Sequence, residues 1–412
     1  MPNKIILPIT EHQKIRLLKN LVFAVLTCAV LVQCKSNGRQ TIISHKDTVQ
    51  SPDPAPAIIP LTAKEVEHYH AEVENVLNHT LLRSRFNGGI LIAKNGTIVY
   101  EKYIGYKNLR TKEPLTATTA LQIASTSKTL TSAAVLKLIH EGRLGINDSV
   151  SKFFPGFPYP GVTVKMLLTH RSGLPNYIYY MEKSPWDKHK LASNQDVLNS
   201  LFQWKPPRAY NPGIHFHYCN TNYVLLALII EKITGQSYPD YMKKNIFDPL
   251  GMTNTFVHST FVNSPGDSSV VAMSYKGNGG LWPPDYSDGP YGDKNIYSTP
   301  RDLLKWDQAL YQYKILTKEM QDSAFTSYSH EKPGIKNYGL GWRMLELPNG
   351  KKVIYHNGHW HGFNSAFVRL MDEKATIIIL SSRLNHNVYT TAKKLYNLFG
   401  NYDGKHEENG EE

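Results

Sequence analysis

Ala124-Ser125-Thr126-Ser127-Lys128-Thr129-Leu130 opens an apolar run that reaches His140, and the reading of this stretch decides the fold. Leu130, Ala134, Val135, Leu138 and Ile139 recur at helical spacing, which predicts a helix beginning beside Ser125. Residues three apart share a helix face, so the Lys128 amine can reach the Ser125 hydroxyl. A serine hydroxyl needs an adjacent base to act as a nucleophile at neutral pH. The first turn of a helix adds free N–H groups and partial positive charge, suited to an oxyanion formed at Ser125.

Ser-x-x-Lys also occurs at Ser149–Lys152 and Ser329–Lys332. The first runs into Phe-Phe-Pro-Gly-Phe-Pro and the second is followed by Pro333, so neither can open a buried helix. An ordinary N-cap serine beside a solvated lysine would read the same as Ser125–Lys128. Two further stretches decide between these readings. One is Tyr210-Asn-Pro-Gly213-Ile-His-Phe-His-Tyr218-Cys219-Asn220-Thr-Asn-Tyr223, which leads into the apolar run Val224 to Ile230. The other is Tyr355-His356-Asn357-Gly358-His359-Trp360-His361-Gly362-Phe363.

In this order and spacing the chain resembles the serine β-lactamase and penicillin-binding-protein superfamily. It is most similar to the branch holding class C β-lactamases, D-alanyl-D-alanine carboxypeptidases, D-aminopeptidases and related esterases. Ser125-x-x-Lys128 matches the nucleophile motif, Tyr218-Cys219-Asn220 the Tyr-x-Asn motif, and His356-Asn357-Gly358 the Lys/His-x-Gly strand motif. Leu167 to Pro175, Asp248 to Met252, Tyr297 to Asp302 and Tyr338 to Trp342 add support, and the likeness spans about residues 65 to 400. It implies an α+β, β-lactamase-like fold: an antiparallel sheet flanked by N- and C-terminal helices, with an inserted, mostly helical region.

The resemblance also implies roles. Ser125 would be acylated, with Lys128 and Tyr218 as the base pair that takes and returns its proton. Asn220 offers a donor and an acceptor for Lys128 and a substrate carbonyl. Gly358 lets a substrate backbone approach an edge strand. The backbone N–H groups of Ser125 and His359 would form the oxyanion hole. Asn220, His356, Asn357, Gly358 and His359 are thus the expected substrate-binding set. Without the Ser–Lys pair, Tyr218 would read as a core aromatic and Asn220 as a turn residue. The strand motif carries His356 where β-lactam-destroying members usually carry lysine; in this it resembles aminopeptidase, esterase and general hydrolase members. The choice among peptide, ester and lactam substrates lies in loops and pocket shape. A domain that is acylated without turnover, as a penicillin-binding sensor, is the alternative. Cys219 inside Tyr-x-Asn behaves as a small hydrophobe.

Paired histidines raise a zinc reading. His359 and His361 alternate along an expected strand, and so do His215 and His217, so each pair would share a face. No His-x-x-Glu-His or cysteine-pair signature accompanies them, and neither a metal nor another cofactor is expected.

The N-terminus carries Lys4, Lys14, Arg16 and Lys19 ahead of an apolar run, Leu21 to Val32, that ends at Cys34. The run is too short to span a membrane and fits a signal peptide over residues 1–34. Leu31-Val32-Gln33-Cys34 resembles a lipobox, which makes Cys34 a lipidation candidate; Gln33 is a poor match there, and simple secretion is the alternative. Cys28 would leave with the signal peptide, so no disulfide framework is expected. Residues 35–61, with Ser-Pro-Asp-Pro-Ala-Pro, read as a tether, 62–402 as the hydrolase domain and 403–412 as an acidic tail.

Within the domain, Thr62 to Glu65 is a capping-box signature for a helix striped by Val66, Tyr69, Val73, Val76 and Leu77. Two apolar runs meet at Asn95-Gly96, a hairpin signal. Lys352–Tyr355, Ser365–Met371 and Thr376–Ser381 read as strands, and Val388 to Phe399 as a closing helix. Strands at both ends of the chain suggest one mixed sheet, and Gly277 to Asp293 a rim loop over the cleft. The formal charge is +12, and the basic residues of the body are scattered with no nucleic-acid motif. They suit anionic substrates or an acidic cell envelope. A small molecule or peptide, such as one of cell-wall origin, is the expected partner, with the membrane reached through the lipid; the sequence leaves oligomeric state open.

Overall fold

The computed structural model describes residues 57–258, 270–283 and 285–403. The leader, Cys34 and the tether up to residue 56 lie outside the described residues, as does the tail from residue 404. Thr62 caps helix α1 (Ala63–Asn78): its hydroxyl accepts from the Glu65 N–H, and the Glu65 carboxylate accepts from the Thr62 N–H. The Asn95-Gly96 turn joins β1 (Gly88–Lys94) to β2 (Thr97–Ile104), with Asn95 at φ 50° and Gly96 at φ 72°. After a long helical insertion come β3 (Lys336–Tyr338), β4 (Arg343–Glu346), β5 (Lys352–Trp360), β6 (Phe363–Leu370) and β7 (Ala375–Ser381).

These seven strands form one sheet in the order β2-β1-β7-β6-β5-β4-β3. Every ladder is antiparallel, so the sheet is not mixed as the spacing alone suggested. The N-terminal hairpin docks against the last strand, with Gly88 opposite Ser381. Central strands are buried on both faces, and alternate residues serve opposite cores. Ile378 and Leu380 of β7 join the core under the helical insertion, whereas Ile377 and Ile379 pack with Val73 and Leu77 of α1.

The insertion supplies α2 (Ser127–His140), α3 (Asn194–Trp204) and α4 (Thr221–Thr234); α5 (Pro300–Tyr311) follows and α6 (Asn387–Lys394) closes the chain. The closing helix ends earlier than the pattern predicted, passing into a short 3-10 turn at Tyr396–Leu398. Helix α2 is buried on nearly every side rather than along one stripe. Its polar residues are therefore bonded: Thr131 donates to the Gly292 carbonyl at 2.7 Å and Ser132 to that of Leu340 at 2.6 Å. A buried pair ties the sheet to α5, where Arg369 Nε donates to Asp307 Oδ1 at 2.6 Å.

Candidate active site

The chain enters α2 through a 3-10 turn, Ala124–Thr126, in which Ala124 takes φ 47°. A non-glycine residue rarely adopts that conformation, and such strain is held only where surroundings enforce it. Here the turn is stitched to the sheet. Thr126 donates to the His356 carbonyl at 3.0 Å and Ser365 to that of Ile123 at 2.7 Å. Ser125 keeps partial exposure between the buried Ala124 and Thr126. The helix N-cap is Thr126, so Ser125 is not an ordinary capping serine.

Lys128 is fully buried and its Nζ donates to three oxygens: Ser125 Oγ at 3.0 Å, Asn220 Oδ1 at 2.9 Å and the Asp293 carbonyl at 2.7 Å. An amine held on three acceptors is fixed in place, and its loss of one proton would turn a lone pair toward a remaining donor. Asn220 sits at the start of α4, where the apolar run Val224–Ile230 anchors the helix in the core.

The Tyr218 ring lies 4.9 Å from Lys128 Nζ, 4.2 Å from the His170 ring and 5.0 Å from the Arg343 guanidinium carbon. Contact to the amine is through the ring. Among the described residues no hydrogen bond joins the Tyr218 hydroxyl to Ser125 or Lys128. Between Tyr218 and Asn220, Cys219 is buried with its Sγ against the Leu174 and Pro175 carbonyls, and burial pushes its thiol up to about 11. It is an inert filler there.

Strand β5 forms the opposite wall. Gly358 lies so close to the turn that a Cβ would sit 2.3 Å from the Ile123 oxygen and 2.9 Å from the Ser125 nitrogen. Asn357, Gly358 and His359 line a cavity of about 710 Å³ together with Ser125, Tyr218 and Asn220. His356 does not line it. The side chain is fully buried behind the wall, its Nε2 paired with the Tyr338 hydroxyl at 3.1 Å and its ring 6.4 Å from that of Tyr218. The expected substrate contact from His356 is corrected accordingly: it packs against the back of Tyr218. Burial, followed by the charges of Arg343 and Lys128, holds the imidazole well below its ordinary range, and His170 is depressed by burial and by the same two cations. Both rings are neutral at physiological pH.

Neither histidine pair lies along a strand as expected. Strand β5 ends at Trp360, and His361 sits in the two-residue turn before β6 at φ 52°, so the alternation from His359 is broken. His361 pairs with Asp288 at 2.9 Å; His359 instead faces His386, ring to ring at 5.8 Å. His215 and His217 lie on a loop, both against the Tyr210 ring. Among the described residues the ligand atoms that converge belong to another set, Asp285, Asp288 and His361. Asp288 Oδ1 accepts from Trp360 Nε1 at 2.6 Å and also faces His361 Nε2 at 2.9 Å.

Four cleft residues had no motif to announce them. Arg343 on β4 is the fixed cation of the wall, and among the described residues no carboxylate pairs with it. Lys294, next to the Asp293 that holds Lys128, lies 4.5 Å over the Trp360 ring, and burial lowers its amine. Trp282 comes from the Gly277–Asp293 stretch and lines the cavity, as does Tyr389 of α6.

The beta-lactamase family pattern matches residues 73–400 of the chain. The protein belongs to the beta-lactamase family. Among its relatives in this family of serine hydrolases is penicillin-binding protein 4* of Bacillus subtilis, 35% identical over 322 residues, 75% of this chain and 71% of that one. Protein flp of Staphylococcus aureus is 28% identical over 80% of this chain and 69% of its own. The octameric penicillin-binding protein homologue from Pyrococcus abyssi superposes with a TM-score of 0.67 at 29% identity, covering 80% of this chain and 76% of that one. D-amino acid amidase from Ochrobactrum anthropi shares the beta-lactamase fold, with a TM-score of 0.61 at 23% identity over 76% of this chain and 91% of that one. The α+β architecture inferred from the sequence is therefore that of the family.

Proposed function

We propose that this member of the family is an envelope-anchored serine hydrolase that opens amide, ester or peptide bonds through an acyl-enzyme at Ser125. Ser125 Oγ attacks the carbonyl carbon, and its proton passes to the Lys128 side. Collapse of the tetrahedral intermediate expels the leaving group, which takes that proton; water then attacks the acyl-enzyme and restores Ser125. Tyr218 would relay the proton to the leaving group, which calls for a small rotation or a bridging water to bring its hydroxyl to Ser125. The Ser125 and His359 N–H groups, on either side of Gly358, would hold the oxyanion.

The observation that carries this reading is Lys128 Nζ, buried and three-coordinate, 3.0 Å from a partly exposed serine on a strained turn. Arg343 favours substrates with a carboxylate near the scissile bond, such as peptide C-termini, since neutral His356 offers no charge there. Cys34 would carry the lipid that anchors the domain.

Fluorescent penicillin and fluorophosphonate probes should label wild type and leave Ser125→Ala unlabelled. Persistent labelling of the variant would reject Ser125. Release of many equivalents of product from p-nitrophenyl acetate or a D-amino-acid amide marks a turnover enzyme, and a halt after one equivalent marks the sensor.

A further inference from the structure

Helix α6 reaches the active site with one side chain. The Tyr389 hydroxyl donates to the Gly358 carbonyl at 2.7 Å and accepts from Asn364 Nδ2 at 2.8 Å. Asn364 is fully buried, lies opposite His359 in the β5–β6 ladder, and its Oδ1 accepts from the Asn385 N–H at 2.8 Å. The Gly358 carbonyl and the His359 N–H belong to one planar peptide unit and point in opposite directions from it. A donor on that carbonyl therefore fixes the plane in which the N–H lies and draws electron density away from it. Hydrogen bonds in such a chain strengthen one another.

We infer that Tyr389 is a positioning residue for the oxyanion hole: through the Gly358 carbonyl it orients and polarises the His359 N–H. The inference rests on the oxyanion role proposed above for that N–H. Burial pushes the Tyr389 phenol up to about 12, so it remains a donor throughout the neutral range. Negative charge that gathers on the substrate oxygen in the transition state would be stabilised across the peptide unit, while ground-state binding would gain little. Acylation and deacylation both pass through such an oxyanion, so both depend on Tyr389.

Tyr389→Phe removes only the hydroxyl. Its rate constants with p-nitrophenyl acetate and with fluorescent penicillin should fall about tenfold, less than the 100-fold or more that follows loss of a direct oxyanion donor. KM should stay within twofold of wild type. Phenylboronic acid, which forms a tetrahedral adduct on serine, should lose affinity by the same factor as kcat. A kcat change below threefold overturns the inference, and so does a fall in kcat that leaves boronate affinity intact, or a loss expressed in KM alone. Asn364→Ser, which withdraws the bond to the phenol, should show a smaller loss of the same kind. If Ser125→Ala is acylated as fast as wild type, the reading of the site itself fails, independently of Tyr389.

Discussion

His356 and His170 are imidazoles whose surroundings keep them from the protonation their identity suggests. Each is buried, neutral and held below its ordinary pKa of about 6.5, so the unfolded chain binds a proton that the folded one refuses. The contribution to stability is whole above the unfolded pKa and is lost as pH falls below it, by up to about 1.4 kcal/mol per pH unit for each ring. Urea unfolding at pH 7.5 and 5.5 should therefore show a marked loss at the lower pH, and His356→Gln should shrink that loss. An unchanged difference in the variant would mean that His356 titrates normally. The sequence named His356 as a member of a motif but not which way it faces. Strand parity puts it with Gly358 on the side packed against the nucleophile turn, where burial and the neighbouring Arg343 and Lys128 charges keep the ring neutral. Arg343 was illegible because a lone arginine on a short strand has no spacing to flag it; its position depends on a register set by β5.

At the scale of elements, the close approach of β5 to the turn before α2 sets the geometry around Ser125. Gly358→Ala would place a methyl 2.3 Å from the Ile123 oxygen and force strand and turn apart. A displacement of about 1 Å at reacting groups can reduce rates about 100-fold, so penicillin labelling of this variant should fall by at least that factor while the circular dichroism spectrum is retained. Labelling at the wild-type rate would show that the close approach is not needed. Local signals carried these elements well: the Thr62–Glu65 box, the Asn95-Gly96 turn and the alternating strands each encode their geometry within a few residues. The His359–His361 pair misled because a two-residue turn interrupts the strand, and His-Gly at the tip was the available warning. Tyr389 could not be read at all, since its role exists only once α6 packs on β6 and β7 and brings the phenol to the Gly358 carbonyl.

For the whole molecule, the ordered set of three motifs gave the architecture through the family resemblance it carries, and the family match over residues 73–400 agrees. The anchoring proposal belongs to this scale too. Labelled palmitate should be incorporated into the full chain and lost in Cys34→Ala, with the variant moving from the membrane to the soluble envelope fraction. Equal incorporation in the variant would reject Cys34 as the lipid site. The ladder between β1 and β7 has a bearing on how such a chain reaches its destination. Its pairing of Gly88 with Ser381 is as non-local as a sheet contact can be, and topologies of that kind close slowly. A polypeptide emerging N-terminus first cannot seal its central strands until almost the last residue has appeared. On the anchoring proposal, such a chain would stay threadable through a translocation pore while synthesis lasts and would complete its sheet on the far side.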